Sequence, residues 1–208
     1  MESQAVDSAG DVVLRHRGVE IMHTEPGGIV GRGSAPAVAS ASRIQVLSDW
    51  DGPVVINADS VPYGPGRLAT LTKKPTQEQI SVYSFIGEYQ HNIHNDLAYA
   101  QSGGLERPIA QGMQSAGYYA EYGTQFFGAE WFTGGWLRTK FLRPVYADDT
   151  LRLDGRISAV DVTKTGRRVS LEMWCRRNDD EVTSVAWMYC DLMNGVSIRT
   201  DLPKERGL

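Results

Sequence analysis

From Trp136 to Leu192 the sequence keeps a period of two through four successive stretches, and this run constrains the fold more than any other feature. Trp136 to Leu142, Thr150 to Val160, Arg168 to Arg177 and Val182 to Leu192 each read as a strand, most clearly through Val169, Leu171, Met173 and Cys175. Side chains alternate across a strand, so apolar residues at every second position line one buried face of a sheet. The breaks at Pro144 to Asp149, Thr163 to Gly166 and Asn178 to Asp180 carry turn chemistry. Long strands joined by such short turns pair antiparallel.

The preceding residues follow other periods. Arg67 to Thr72 alternates as a half-buried strand would, and Thr76 with Gln79 three residues on forms a capping-box pattern that opens a helix running to Tyr89. A short helix over Leu97 to Gln101 follows a polar loop, and a longer one is predicted from Gly112 to about Phe127. Ala116, Gly117, Ala120 and Gly123 recur on that helix at spacings of three and four, which predicts a thin face turned toward a curved sheet. One strand, helices, then four strands is an α+β order. Residues 66–193 therefore read as the main domain and 194–208 as a C-terminal tail. Residues 1–65 read as an N-terminal arm with short strands such as Val54-Val55-Ile56, a second small domain being the alternative. Within the arm, Pro26 to Ser42 is rich in Gly, Ala, Ser and Pro, too small in its side chains to bury much area.

Composition excludes several functions. A net charge of −4 offers no basic surplus for nucleic acid. Only 2 Cys are present, which argues against a disulfide scaffold and a zinc site and for a reducing compartment. No apolar stretch approaches the roughly 18 residues of a membrane helix. The first ten residues lack the basic and apolar regions of a signal peptide. A cytoplasmic protein without nucleic-acid or membrane partners is the expectation.

Two of the chain's four His, His91 and His94, fall in the polar loop between the predicted helices. Imidazole moves protons near neutral pH, although a His pair in a loop also serves local hydrogen bonding. Ile93 between them would anchor the loop, and Asp96 could orient an imidazole. Arg107 to Met113 ends at the start of the longer helix, where Gly112 would offer a backbone N–H unobstructed by a side chain. Free N–H groups at a helix start suit a carbonyl oxygen that gains negative charge, although Gly is also common there for backbone reasons alone.

At these residues the chain resembles the MaoC-like (R)-specific enoyl-CoA hydratases and dehydratases, which have the hotdog fold. His94-Asn95-Asp96 with Tyr99-Ala100 is similar to the family's H-x-D…Y-A element. Arg107 to Met113 resembles R-P-I-A-H-G-M, and Phe141 to Val145 and Asp149-Thr150-Leu151 resemble F-x-x-P-V and G-D-T-L. The family's D-x-N-P-[IL]-H-x-D signature is altered: Tyr89 stands in place of its catalytic Asp, His91 in place of the Asn, and Asn92 in place of the Pro. The pattern H-x-I-H-x-D is similar to a divergent branch that also lacks the Asp.

The resemblance implies a single hotdog domain, an antiparallel sheet wrapped around a central helix, with an N-terminal extension. It implies a hydro-lyase that adds or removes water across the 2,3-bond of an acyl thioester of CoA or of carrier-protein phosphopantetheine, with no metal or redox cofactor. His94 would be the general acid/base, and His91, Tyr89 or Glu88 would orient the water or the second proton. The Gly112 N–H, with Gln111 beside it, would hold the thioester oxygen. Asp96 would orient an imidazole or cap the short helix. Lys164, Arg167 and Arg168 could meet phosphates or form a solvated basic turn. A homodimer or higher homo-oligomer is expected. A thioesterase on the same fold and a non-catalytic binding or dimerisation module are the alternatives.

Overall fold

The computed structural model describes residues 2–6, 9, 12–17, 54–58, 66–84, 91–178 and 181–193. In chain order the elements are β1 (Glu2–Val6), β2 (Val12–Arg17), β3 (Val54–Val55), β4 (Arg67–Leu68), β5 (Leu71–Lys73), α1 (Gln77–Tyr83), α2 (Leu97–Ser102), α3 (Gly112–Phe127), α4 (Trp131–Gly134), β6 (Gly135–Phe141), β7 (Leu151–Val162), β8 (Gly166–Arg177) and β9 (Glu181–Met193). A 3₁₀ turn, Gly128–Glu130, joins α3 to α4.

The four long stretches of period two form β6 to β9, and the sheet runs β3-β4-β7-β8-β9-β6 with β5 also on β7. Val169, Leu171, Met173 and Cys175 are all buried in one core with Leu151, Leu153 and Ile157 of β7 and Ala186, Met188 and Cys190 of β9. The period-two reading of the inward face therefore holds. An α+β hotdog, a central helix held against a curved sheet, is the architecture of the described residues.

Three local expectations differ. The strand expected over Arg67 to Thr72 is broken in two. Arg67 pairs with Arg156 and Leu71 with Leu153, so four steps on one side meet three on the other. The extra residue is accommodated at Ala69 and Thr70, where Tyr122 Oη donates to the Ala69 carbonyl at 2.9 Å and Thr70 Oγ1 donates to Asp154 Oδ1 at 2.5 Å. Second, β3 runs parallel to β4, so the sheet is not wholly antiparallel. Third, the thin face of α3 is only partly inside: Ala116 and Gly123 are buried and Gly117 is exposed. Tyr119, Tyr122 and Phe126 fill most of the concave side, with Tyr119 Oη 2.9 Å from Ser184 Oγ on β9. Burying an aromatic ring removes far more apolar area from water than burying Ala or Gly, so the aromatic stripe takes the inside. Gly123 serves α4: a Cβ there would lie 2.6 Å from the Trp131 ring.

Within the N-terminal extension, Val55 and Ala58 are buried in the main core, and Arg167 donates to the Ala58 carbonyl at 2.8 Å. Pro26 to Ser42, Phe85 to Gln90 and the tail 194–208 lie outside the described residues. No helix among the described residues is long and apolar enough to cross a membrane.

Candidate active site

The loop between α1 and α2 is held by asparagine side chains. The Asn92 N–H donates to Asn95 Oδ1 at 2.9 Å, and Asn92 Oδ1 accepts the His94 N–H at 2.8 Å. The Asn92 carbonyl accepts the Asp96 N–H at 3.0 Å. Asn readily closes such turns on its own backbone, so the turn from Asn92 to Asp96 closes without the proline that stands at this position in the family signature. Gln77 of α1 donates to the His94 carbonyl at 2.9 Å.

This loop docks on the segment that leads into α3. The Ile109 N–H donates to the Ile93 carbonyl at 3.1 Å, and His94 Nδ1 lies 2.7 Å from the Ile109 carbonyl. A carbonyl only accepts, so Nδ1 carries a proton and Nε2 keeps its lone pair. Burial lowers the His94 pKa, outweighing the raising effect of the Ile109 hydrogen bond, so the ring is neutral at neutral pH. A half-buried, neutral imidazole with a free Nε2 lone pair has the chemistry a general base requires.

Ala110 continues the docking, its N–H donating to the Val145 carbonyl at 2.7 Å. Three residues after Ile109, α3 begins at Gly112, and its N-cap, Gln111, makes no side-chain cap hydrogen bond. First-turn N–H groups have no acceptor within their own helix, so the Gly112 N–H is open to a ligand oxygen. Gly112 also has a packing reason: a Cβ there would lie 2.8 Å from the Phe141 ring.

His91 is exposed, and its Nδ1 lies 2.9 Å from Asp96 Oδ2. Asp96 Oδ1 caps α2 by accepting the Tyr99 N–H at 2.9 Å. That backbone hydrogen bond first, and the His91 ring next, hold the Asp96 carboxyl below the ordinary carboxylate range. Asp96 thus caps a helix and orients an imidazole, and the imidazole is that of His91. Glu88 and Tyr89 lie outside the described residues. Arg168 is engaged by Asp191 at 2.7 Å and Arg167 by Ala58, which leaves Lys164 as the exposed cation of that basic turn. No metal-binding group of His, Cys, Asp and Glu is present among the described residues.

A cavity of about 660 Å³ opens between α1, α3 and the Lys73-Lys74-Pro75 segment, with Tyr83, Gln114, Gly117 and Tyr118 among its walls. Asn92, Gln77, the Ile109 carbonyl and this cavity were not legible as functional features beforehand. The Asn92–Asn95 spacing is the one local signal that pointed to a closed turn.

Residues 62–173 match the family described as MaoC like domain. Among curated proteins, Peroxisomal multifunctional enzyme type 2 of Mus musculus is 27% identical over 142 residues, 67% of this chain and 18% of that protein. The chain thus spans less than a fifth of that relative's length. Among solved structures, the unliganded R-Hydratase PhaJ1 from Pseudomonas aeruginosa aligns with a TM-score of 0.52 and 18% identity, over 64% of this chain and 83% of that one. The MaoC-like dehydratase from Rhodospirillum rubrum aligns with a TM-score of 0.53 and 13% identity, over 67% of this chain and 97% of that one. At these identities the two structures show a shared fold.

The peroxisomal relative corrects the cytoplasmic expectation. The cysteine count and the hydropathy pattern behind that expectation do not distinguish cytosol from a peroxisomal interior.

Proposed function

Because the chain belongs to the MaoC-like domain family, we propose that it is a hydro-lyase acting across the 2,3-bond of an acyl thioester of CoA or of a phosphopantetheine carrier. The observation that carries this reading is the His94 Nδ1 to Ile109 carbonyl contact of 2.7 Å, which leaves Nε2 free as a base and ties its ring to a residue three positions before an uncapped helix start.

In hydration, His94 Nε2 takes a proton from water while the water oxygen bonds to C3. The C2=C3 π pair moves toward C1, and charge accumulates on the thioester oxygen. The Gly112 N–H, with Gln111 beside it at the positive end of α3, stabilises that oxygen where the charge develops. Collapse of the enolate places a proton on C2, supplied or oriented by His91 held on Asp96, or by Glu88 or Tyr89. Dehydration is the reverse: the group that supplied the C2 proton takes it back, and protonated His94 returns its proton to the leaving hydroxyl. The balance is one water and one thioester, with no change of oxidation state overall. The protein acts as a homodimer or higher homo-oligomer.

Purified protein incubated with short, branched and aryl enoyl-CoAs, with products followed by mass, tests the proposal. Gain of one water without free CoA supports it. Release of free CoA indicates the thioesterase alternative, and no turnover across the panel indicates a binding or dimerisation module.

A further inference from the structure

The cavity beside the start of α3 sets a few polar groups in a mainly apolar lining. Its α3 wall consists of Gln114, Gly117, Tyr118 and Glu121, which fall at helical spacing two to nine residues past Gly112. Gly117 has no atom within 4 Å of where a Cβ would stand, so the middle of this wall is open space. Gly112 and this wall belong to the same helix, α3.

The polar groups of the wall are arranged to meet a neutral partner. Gln114 is 7% exposed, and its Nε2 donates to Tyr118 Oη at 3.2 Å. Tyr118 thereby accepts a hydrogen bond and keeps its own proton to give, and no acceptor for that proton is present among the described residues. Burial raises the Tyr118 pKa, so the phenol stays protonated at neutral pH. The unused Tyr118 proton therefore favours a ligand that supplies an oxygen to accept it. The charges are balanced: Lys73 Nζ is 2.6 Å from Glu121 Oε1, and Lys74 and Glu78 face the same cavity with opposite signs. A carboxylate would find no net positive field here, and a plain hydrocarbon would leave the phenol unpaired.

Resting on the hydro-lyase reading of the site, we propose that Tyr118, oriented by Gln114, makes this cavity select acyl thioesters whose chain carries a neutral oxygen function, such as a hydroxyl, keto or ether group. Tyr118 is the specificity-determining residue and Gln114 its positioning residue.

Calorimetric binding of three saturated thioesters to the full chain, hexanoyl-CoA, ω-hydroxyhexanoyl-CoA and adipoyl-CoA, tests this directly. The hydroxylated compound is expected to bind roughly tenfold more tightly than either of the others, as one hydrogen bond in a part-buried site provides. Tyr118→Phe is expected to bring the hydroxyl-to-alkyl ratio to within about twofold of unity. Gly117→Leu, placed in open space, is expected to weaken binding of all three. Equal or tighter binding of hexanoyl-CoA, tightest binding of adipoyl-CoA, survival of the ratio in Tyr118→Phe, or unchanged binding in Gly117→Leu would each overturn the proposal. Hydration of the corresponding enoyl thioesters separates the two readings. Binding preference without turnover sinks the hydro-lyase reading and leaves the selectivity standing, whereas turnover without preference sinks only the selectivity.

Discussion

Replacing His94 by Ala removes the proposed base and one structural hydrogen bond, and the two losses can be sized separately. Positioned proton transfer contributes typically about 10²–10⁴ in rate, or roughly 2.7–5.4 kcal/mol at 1.36 kcal/mol per factor of ten. The hydrogen bond lost is that to the Ile109 carbonyl at 2.7 Å. The site is only half-buried, so water can reach that carbonyl after the ring is gone, and the cost falls near the low end, about 1 kcal/mol. In a chain of this length that lowers Tm by about 2–4 °C. Hydration of an enoyl-CoA, followed by loss of the enoyl-thioester ultraviolet absorbance, should therefore fall at least a hundredfold while the protein stays folded at assay temperature.

The pH profile gives a second reading of the same residue. Burial disfavours the imidazolium, so the folded pKa lies below the usual 6.5. A base must be unprotonated, so kcat/KM rises with pH along an acid limb whose midpoint lies below 6.5. His94→Ala should remove this acid limb from the residual rate. Full activity in His94→Ala, or an acid limb above 6.5 in the wild type, refutes the assignment.

His91 is 73% exposed, so His91→Ala should leave Tm unchanged and lower kcat with KM little altered. Asp96→Ala removes the α2 cap as well and should cost about 1 kcal/mol by denaturant titration. Gly155→Ala brings a Cβ to 2.6 Å from the Glu172 carbonyl and 2.8 Å from Met173 Cγ inside the sheet, and overpacking there should cost about 1–3 kcal/mol, read as a lowered denaturation midpoint. Burial pushes the Cys175 thiol up to about 11 and the Cys190 thiol to about 12, so a maleimide at neutral pH should label neither in the native protein and both in denaturant.

Much of this protein is readable along the chain because its determinants are local. The Thr76–Gln79 capping box, with Gln79 N–H on Thr76 Oγ1 at 3.2 Å, needs only four consecutive residues, and α1 begins where it predicts. The strands β6 to β9 follow from alternation because one buried face repeats at every second residue. Composition set limits on partners, but it carried no sound information on compartment, since the same residues suit any reducing interior. The orientation of α3 shows the limit of periodicity: small and aromatic residues both recur at helical spacing, and spacing alone does not say which stripe is inside.

The candidate site divides the same way. His94, Gly112 and Asp96 stand out as residue types in a pattern, because a proton carrier, a bare helix start and a capping carboxylate can each be recognised singly. What each does depends on partners far along the chain. The tautomer of His94 comes from the Ile109 carbonyl fifteen residues away and its lowered pKa from burial, and the close approach that makes Gly112 necessary comes from Phe141 on an edge strand. Asp96 is adjacent in sequence to both candidate imidazoles, yet the fold gives it to His91. By itself the sequence determined which groups are available and where α1, α2, α3 and the long strands β6 to β9 lie, because those depend on neighbours within a turn. Tertiary structure alone decided which groups meet, because hydrogen bonding and desolvation act over a few ångströms of space whatever the distance along the chain.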